Sequence, residues 1–201
     1  MSFPKAAPHQ IAVIAGPTGS GESTITNAII KRYPRRAARL VTATTRAPRA
    51  GEQNGVDYYF FNTEDFLAKK KAGELLETTY IQNRETHYGT YLPDLQGKLD
   101  AGFIVLVNPD IVGAKFYKEH YGATTVFVMP GTVEEIPARL RGRNPEMAEA
   151  EIQKRFENAK REIAEERGFY DHEVLNANGK LAEAVEETLR ILRQDGYEFG
   201  D

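Results

Sequence analysis

The chain has 201 residues, 41% of them hydrophobic and 27% charged, which is an ordinary composition for a globular protein. Its formal net charge of −3 argues against nucleic acid or an anionic membrane as a partner, and the absence of cysteine excludes disulfides and thiolate chemistry. No segment reaches the roughly 18 apolar residues of a membrane span, and no signal peptide is evident, so we expect a cytoplasmic protein.

The first elements are a strand, a glycine-rich turn and a helix. Ile11–Ala15 is a short apolar run that predicts a buried strand. Ser23–Arg32 has apolar residues at helical spacing and ends just before Pro34, which predicts a helix. Residues 42–101 are rich in loop-forming and aromatic residues, and we expect them to form a small mixed α/β subdomain inserted into the parent fold.

Within this inserted stretch, Tyr58–Phe61 is aromatic and strand-like, and Thr63 is the expected start of a capped helix. Further apolar runs at Phe103–Val107 and Thr124–Met129 predict two interior parallel strands, with a crossover helix over Ile111–His120 between them.

The last third of the chain is predicted to be mainly helical. Residues 133–166 are strongly charged and helical, with expected interruptions at Pro137 and at Gly142–Pro145. Val174 and Leu175 indicate a last short strand, and Leu181–Leu192 carries the apolar stripe of an amphipathic helix. Strands that alternate with helices predict the α/β class, with a parallel sheet covered by helices on both faces.

Residues 16–24 read Gly-Pro-Thr-Gly-Ser-Gly-Glu-Ser-Thr and match the phosphate-loop pattern G-x-x-x-x-G-K-[ST] except at the lysine. A predicted strand precedes this loop and a helix follows it, so its backbone N–H groups and the helix N-terminus would form a nest for phosphate. Either Ser23 or Thr24 would supply a hydroxyl to Mg²⁺. The expected phosphate-binding residues are Gly16, Thr18, Gly19, Ser20, Gly21, Glu22, Ser23 and Thr24.

Glu22 stands where the pattern has its lysine. Losing one transition-state donor lowers a rate by about 10²–10³, and like charges about 4 Å apart repel by about 4 kcal/mol at an effective dielectric near 20. We therefore expect Glu22 to swing outward, to bind a cation or to stay protonated. No lysine lies close enough to substitute, since Lys31 is more than two helical turns further along the predicted helix.

Residues 42–58 form a second motif, Thr-Ala-Thr-Thr-Arg-Ala-Pro-Arg-Ala-Gly-Glu-Gln-Asn-Gly-Val-Asp-Tyr. Two arginines beside a turn can clamp a phosphate through paired hydrogen bonds, and a nearby tyrosine can add a hydroxyl. This segment closely resembles the GMP-binding segment of guanylate kinases, which belong to the P-loop nucleoside monophosphate kinases. The resemblance extends over roughly residues 10–195.

The resemblance implies a P-loop NTPase-type parallel sheet with a GMP-binding subdomain and a helical lid. The implied core comprises residues 10–41, 102–132 and 168–201, the GMP-binding subdomain residues 42–101, and the lid residues 133–167. By the same resemblance the GMP phosphate is held by Arg46, Arg49, Tyr58 and Tyr88, and the guanine is read by Thr42, Glu77 and Thr90 with Asp110 nearby. The loop from Tyr80 to Tyr88 is about two residues longer than usual.

The segment Asn108-Pro109-Asp110 follows the strand predicted at Phe103–Val107. The resembling family has two aspartates here, and only the second remains. The resemblance implies that Asp110 helps to position Mg²⁺ or GMP, together with Ser23 as a metal ligand. The alternative is that Asp110 only caps the following helix.

Three arginines in the predicted lid, Arg139, Arg143 and Arg155, match family positions that grip the ATP phosphates on closure. With Arg46 and Asp110 they form the expected catalytic set, because arginine can position and neutralise a transferring phosphoryl group. Asn176 matches a family residue near adenine, but the two acidic residues that follow it in the family are absent.

These motifs lead to three hypotheses on function. The first is a guanylate kinase that uses GMP and MgATP and acts as a monomer or homodimer. The second is a catalytically impaired guanylate-kinase-like binding module, suggested by Glu22, Asn108 and Ala177. The third is a related phosphokinase with another small acceptor.

Overall fold

The computed structural model describes residues 5–49, 51–82 and 85–200 of the chain. The elements in chain order are β1 (Ile11–Ala15), α1 (Glu22–Arg32), β2 (Ala37–Arg39), β3 (Ala43–Thr44), β4 (Tyr59–Phe60), α2 (Thr63–Lys71), β5 (Leu75–Ile81), β6 (Thr86–Tyr91), α3 (Leu92–Asp100), β7 (Ile104–Val107), α4 (Ile111–Tyr121), β8 (Thr124–Pro130), α5 (Glu135–Arg143), α6 (Glu149–Glu166), a 3₁₀ turn (Arg167–Phe169), β9 (His172–Asn176) and α7 (Leu181–Gln194).

A five-stranded sheet in the order β2-β7-β1-β8-β9 forms the centre of the fold, and every pair in it is parallel. Helices cover both faces. Ile25 and Ile29 of α1 pack with Leu189 of α7 on one face, while Leu95 of α3 and Tyr117 of α4 pack on the other. The predicted α/β class, with a parallel sheet flanked by helices, is confirmed.

A second sheet of four strands, β4-β3-β6-β5, lies between β2 and β7 in the sequence. Strand β3 pairs with β4 in parallel and with β6 in the antiparallel sense, and β5 pairs with β6 antiparallel. Phe66 of α2 packs on this sheet against Ala43 and Leu75. The unit is mixed α/β, as the sequence predicts for this stretch, and it places β6 next to the end of the parallel sheet.

The helices α5 and α6 share a small apolar cluster, in which Ile136 and Leu140 pack with Ile152 and Ala159. The prediction that Pro137 interrupts this helical stretch is wrong. Pro137 is the third residue of α5, where the backbone N–H has no partner inside the helix, so a proline removes no hydrogen bond there.

Several predicted boundaries move by one or two residues. Helix α2 begins at Thr63 as predicted, and Asn62 caps it by accepting a hydrogen bond from the Asp65 N–H. Strands β2, β3, β5 and β6 and helix α3 were not predicted as separate elements. The expected insertion between Tyr80 and Tyr88 includes residues 83 and 84, which lie outside the described residues. Within the described ranges, no helix has the length and apolar character required to cross a bilayer.

Candidate active site

The phosphate loop joins the buried strand β1 to the N-terminus of α1. Gly19 and Gly21 have φ angles of 88° and 97°, in the left-handed region that favours glycine. A Cβ atom on Gly21 would also lie 2.3 Å from the Asn176 amide nitrogen. No side chain caps the start of α1. The loop is therefore built tightly, with the N-terminal backbone of the helix turned toward its concave side.

Glu22 is the first residue of α1, and its carboxylate lies against the loop. Ser20 Oγ donates to one carboxylate oxygen at 3.0 Å, and Ser23 Oγ donates to the other at 3.2 Å. A carboxylate is favoured at a helix N-terminus for the same reason that phosphate is. The expected outward swing of Glu22 is therefore wrong, because its carboxylate is held by the hydroxyls of its own loop, including the Ser23 hydroxyl expected on a metal.

Arg139 of α5 ties the lid to the phosphate loop. Its guanidinium makes five hydrogen bonds, to the carbonyl oxygens of Gly19, Ser20 and Asn176 and to the side chains of Glu135 and Asn178. All five N–H donors are in use, so Arg139 could grip a phosphate only after exchanging some of these bonds. The predicted phosphate contact stays a prediction.

Asn176, at the end of β9, supports the same loop from the other side. Its side chain is buried and donates to the Ser20 carbonyl oxygen at 2.7 Å. With Gly21, Glu22, Ser23 and Thr24, it lines a cavity of about 410 Å³ that also contains Arg143. We call this the helix-side cavity.

A larger cavity of about 460 Å³ opens on the opposite side of the loop, between the parallel sheet and the second sheet. We call it the sheet-side cavity. It brings together residues from the two sheets, the phosphate loop and the lid helix α6. Its lining includes Thr18, Thr42, Arg46, Arg49, Tyr58, Glu77, Tyr88, Thr90, Asn108, Asp110, Tyr117 and Arg155.

One end of the sheet-side cavity is strongly basic. The Arg46 guanidinium forms a two-pronged ion pair with Glu52 at 2.8 and 2.9 Å, which lowers the pKa of Glu52 to about 2. The guanidinium also lies over the Tyr58 ring, 5.2 Å from its centroid. The buried Nε of Arg46 has no partner among the described residues. Sequence reasoning assigned no role to Glu52, although its spacing from Arg46 within the motif was a usable signal.

The other end contains a buried carboxyl group. Thr90 Oγ1 donates to Glu77 Oε1 at 2.7 Å. Burial, with a smaller contribution from the charge of Asp110, raises the pKa of Glu77 to about 7, although the hydrogen bond from Thr90 acts in the opposite direction. The Tyr117 hydroxyl lies 2.6 Å from Thr90 Oγ1. Sequence reasoning missed Tyr117, because it reads as an ordinary core residue of α4.

Asp110 both caps a helix and faces the cavities. It accepts a hydrogen bond from the Gly113 N–H at 2.9 Å, as an N-cap residue does. It also lines the sheet-side cavity. Nearby, the Asn108 amide donates to the Ile14 carbonyl oxygen and to Thr26 Oγ1, which a carboxylate at this position could not do.

A third, smaller cavity of about 220 Å³ lies between the phosphate loop and α6 and is lined by four carboxyl groups. They are Glu22, Asp110, Glu162 and Glu166; Gly16 and Thr18 complete the loop side. Burial first, and neighbouring negative charge second, raise the pKa values of Glu162 and Glu166. We call this the acidic cavity. These carboxyl groups would repel an anion in the acidic cavity unless a cation entered with it.

The remaining predicted lid arginines lie on both sides of the loop. Arg155 of α6 pairs with Glu151 at 2.8 Å and lines the sheet-side cavity with Thr18. Arg143, the last residue of α5, is exposed and lines the helix-side cavity. Among the residues that the structure describes, no group of three or more acidic or histidine side chains is placed to hold a metal ion.

The fold and these cavities define an α/β phosphate-binding protein of the P-loop type, with ligand cavities at the carboxyl ends of parallel strands. Comparison with known proteins gives the family. The family model described as guanylate kinase matches residues 9–195. The chain belongs to the guanylate kinase family.

Individual relatives cover nearly the same range. The chain is 34% identical over 189 residues to guanylate kinase from Rhodopirellula baltica, covering 93% of this chain and 88% of that protein. It is 39% identical over 183 residues to guanylate kinase from Leifsonia xyli, covering 90% and 70%. The crystal structure of guanylate kinase from Anaplasma phagocytophilum superposes with a TM-score of 0.69 at 27% identity, covering 98% of this chain and 90% of that one.

Proposed function

We propose that this chain transfers the γ-phosphoryl group of ATP to GMP, giving ADP and GDP. The observation that carries the proposal is the sheet-side cavity, which has a basic end at Arg46 and Arg49 and a carboxyl group at Glu77. The basic end suits a phosphate. The carboxylate suits the N1–H and N2–H₂ donors of guanine. Family membership supports the same acceptor and donor.

In this proposal the chain acts mainly by positioning. Arg46, Arg49, Tyr58 and Tyr88 would hold the GMP phosphate, while Thr42, Glu77 and Thr90 would hold the base with Asp110 nearby. The backbone of the phosphate loop would hold ATP in the helix-side cavity, with Asn176 near adenine. Arg143 and Arg155 would approach the transferring group as the lid excludes water. We propose the boundaries expected from the sequence for the core, the GMP-binding subdomain and the lid.

The side chains at the phosphate loop fit a hard divalent cation such as Mg²⁺, because they offer oxygen donors only. Glu22 lines both the helix-side and the acidic cavities, Ser23 bonds to it, and Asp110 faces it across the acidic cavity. We propose Ser23 and Asp110 as the residues that would hold Mg²⁺. The ion would neutralise phosphate charge when bound.

The test is ADP release with GMP as the acceptor, measured by a coupled assay at high enzyme concentration. Turnover above a no-acceptor control is expected. AMP, CMP and sugar phosphates serve as alternative acceptors, and GMP should be preferred. A GMP rate equal to the no-acceptor rate would reject the proposed reaction. A faster rate with another acceptor would instead support the related-phosphokinase hypothesis.

A second candidate function is a binding module that retains GMP without turnover. The contact of Glu22 with Ser20 and Ser23 favours this function, because the carboxylate accepts hydrogen bonds from two hydroxyl groups of the loop that is proposed to hold ATP. Calorimetry would then show GMP binding while the coupled assay shows no ADP. The cytoplasmic location and the monomeric or dimeric state remain predictions.

A further inference from the structure

Tyr117 lies in the middle of α4 and is fully buried. Its ring belongs to the apolar cluster on one face of the parallel sheet, with Leu95 and Val105. Its hydroxyl leaves that cluster and reaches the wall of the sheet-side cavity, 2.6 Å from Thr90 Oγ1. A core residue therefore takes part in the polar wall that faces the proposed base.

The hydrogen-bond partners of Tyr117 and Thr90 determine which of the two hydroxyl groups donates to the other. Burial holds the pKa of Tyr117 well above its ordinary value, so this hydroxyl stays protonated. Across the described ranges, Thr90 Oγ1 is the one hydrogen-bond partner of the Tyr117 hydroxyl, so a satisfied Tyr117 donates its proton to Thr90. Thr90 has one proton of its own, which it then donates to Glu77.

This arrangement determines what Glu77 presents to a base. An ionised carboxylate accepts hydrogen bonds only, which matches the N1–H and N2–H₂ donors of guanine. A protonated carboxyl group offers a donor as well, which matches the N1 acceptor and the amino group of adenine. The ionisation state of Glu77 thus decides between two complementary base edges.

We propose that Tyr117 is a positioning residue for base specificity: it directs the Thr90 proton onto Glu77 and so keeps that carboxylate an acceptor for guanine. The inference rests on the proposed function, because it takes this end of the sheet-side cavity as the base site. The substrate class that it favours is a guanine nucleotide over an adenine nucleotide.

Other charged and titratable groups act on the same chain. The charge of Asp110, at the start of α4, and burial both favour the protonated form of Glu77, whereas Thr90 favours the ionised form. The charges of Asp94 and Tyr121 also favour the protonated form of Tyr117. Arginines at positions 39, 46, 49 and 155 line the same cavity. Removing the Tyr117 hydroxyl weakens the Thr90 donor, because linked hydrogen bonds strengthen one another, so Glu77 should then take up a proton at higher pH.

The experiment compares wild type with Tyr117→Phe by calorimetric titration of GMP and AMP between pH 6 and pH 9. GMP binding by the variant should be about twofold weaker at pH 7, because a rise of about half a unit in a pKa of about 7 would roughly halve the ionised fraction of Glu77 at that pH. The midpoint of the pH dependence should rise by about half a unit. As the midpoint rises, the ratio of GMP affinity to AMP affinity at pH 7 should fall.

Tyr121→Phe is the matched control. Tyr121 lies one turn further along α4, and its buried hydroxyl has no hydrogen-bond partner among the described residues. Its removal should leave the GMP midpoint and the affinity ratio at wild-type values. A shift equal to that of Tyr117→Phe would mean that packing of α4, rather than the hydroxyl chain, is responsible.

Thr90→Val gives an independent measurement, since it breaks both links of the chain. It should shift the midpoint at least as far as Tyr117→Phe, and Tyr117→Phe should add nothing in the Thr90→Val background. Wild-type midpoints in folded variants, as judged by thermal unfolding, would overturn the inference. Wild-type GMP binding without turnover would reject the proposed reaction alone, whereas absence of GMP binding would overturn both.

Discussion

At position 22, a carboxylate replaces the ammonium group that the phosphate-loop pattern has. The Glu22 side chain does not turn away from the loop, because Ser20 and Ser23 supply it with two hydroxyl donors. An incoming triphosphate would meet negative charge at this point unless a cation lay between them. Because backbone N–H groups could still bind phosphate, we expect Glu22 to affect the chemical step more than it affects binding.

Replacing Glu22 with lysine should therefore raise the rate of GMP phosphorylation. We expect Glu22→Lys to increase kcat by at least about 100-fold, the usual effect of one preorganised donor on a transition state. The coupled ADP assay measures it. Glu22→Gln is the matched control, because it removes the negative charge without adding a positive one, and its rate should lie between the two. An unchanged rate in Glu22→Lys would show that another cation already performs this role.

The local motifs predicted much of the candidate site at the scale of residues. The spacing of Arg46, Arg49 and Tyr58 within one segment indicated a common ligand, and the structure brings all three to the sheet-side cavity. Their binding of GMP stays a prediction. Tyr117 could not be found in this way, because its hydroxyl meets Thr90 only through the packing of α4 beside β6.

Helix α5 is fixed to the phosphate loop by Arg139. The helix is nine residues long and buries Ile136 and Leu140 in the apolar cluster that it shares with α6, and Arg139 adds a polar attachment to the loop. Three of the five atoms that accept hydrogen bonds from Arg139 are backbone carbonyl oxygens, those of Gly19, Ser20 and Asn176. The first helix of the proposed lid is thus connected to the phosphate loop by these hydrogen bonds.

Removing the Arg139 guanidinium should destabilise this attachment. We expect Arg139→Met to lower the free energy of unfolding by about 2 kcal/mol, since several charge-assisted hydrogen bonds are lost together. It should also speed proteolysis within residues 133–167. Arg141→Met is the control on the same helix, because Arg141 is half exposed and pairs with exposed Glu149; its stability should match that of wild type, since an exposed ion pair contributes little. Equal losses of unfolding free energy in Arg139→Met and Arg141→Met, measured by urea unfolding, would contradict the role of Arg139.

Strands with a clear hydrophobic pattern were predicted from the sequence, and strands without one were not. Strands β1, β7 and β8 are continuous apolar runs buried on both faces, and each was predicted from the sequence. Strand β2 is only three residues long, Ala-Ala-Arg, and has no apolar run to identify it. Strands β5 and β6 contain many threonines and tyrosines, so their pairing depends on the neighbouring strand more than on their own pattern.

At the scale of the whole molecule, the residues after α7 complete the core. Tyr197 and Phe199 are each 2% exposed and pack with the helices on one face of the parallel sheet. The Tyr197 hydroxyl donates to the Ile11 carbonyl oxygen at 2.5 Å and accepts from the Thr124 N–H at 3.0 Å. One side chain thereby links the starts of β1 and β8.

Tyr197→Phe should lower the free energy of unfolding by about 1–3 kcal/mol, because it leaves a buried carbonyl oxygen and a buried N–H without a partner. Urea unfolding monitored by circular dichroism measures the change. Tyr33→Phe is the matched control: its hydroxyl accepts from exposed Arg193, and water can replace that bond. We expect that variant to stay within about 0.5 kcal/mol of wild type. A loss in Tyr33→Phe as large as that in Tyr197→Phe would contradict this account.

The position of β1 also has a consequence for synthesis on the ribosome. This strand is translated before either of its neighbours, since Ile11 pairs opposite Val105 and Ala12 opposite Thr124. A nascent chain that does not yet contain β7 and β8 has β1 without either neighbour, so the loop that follows it has no rigid strand to hold it. Such distant pairings make folding slow. We therefore expect the phosphate loop to take its final shape only after β7 and β8 have been synthesised.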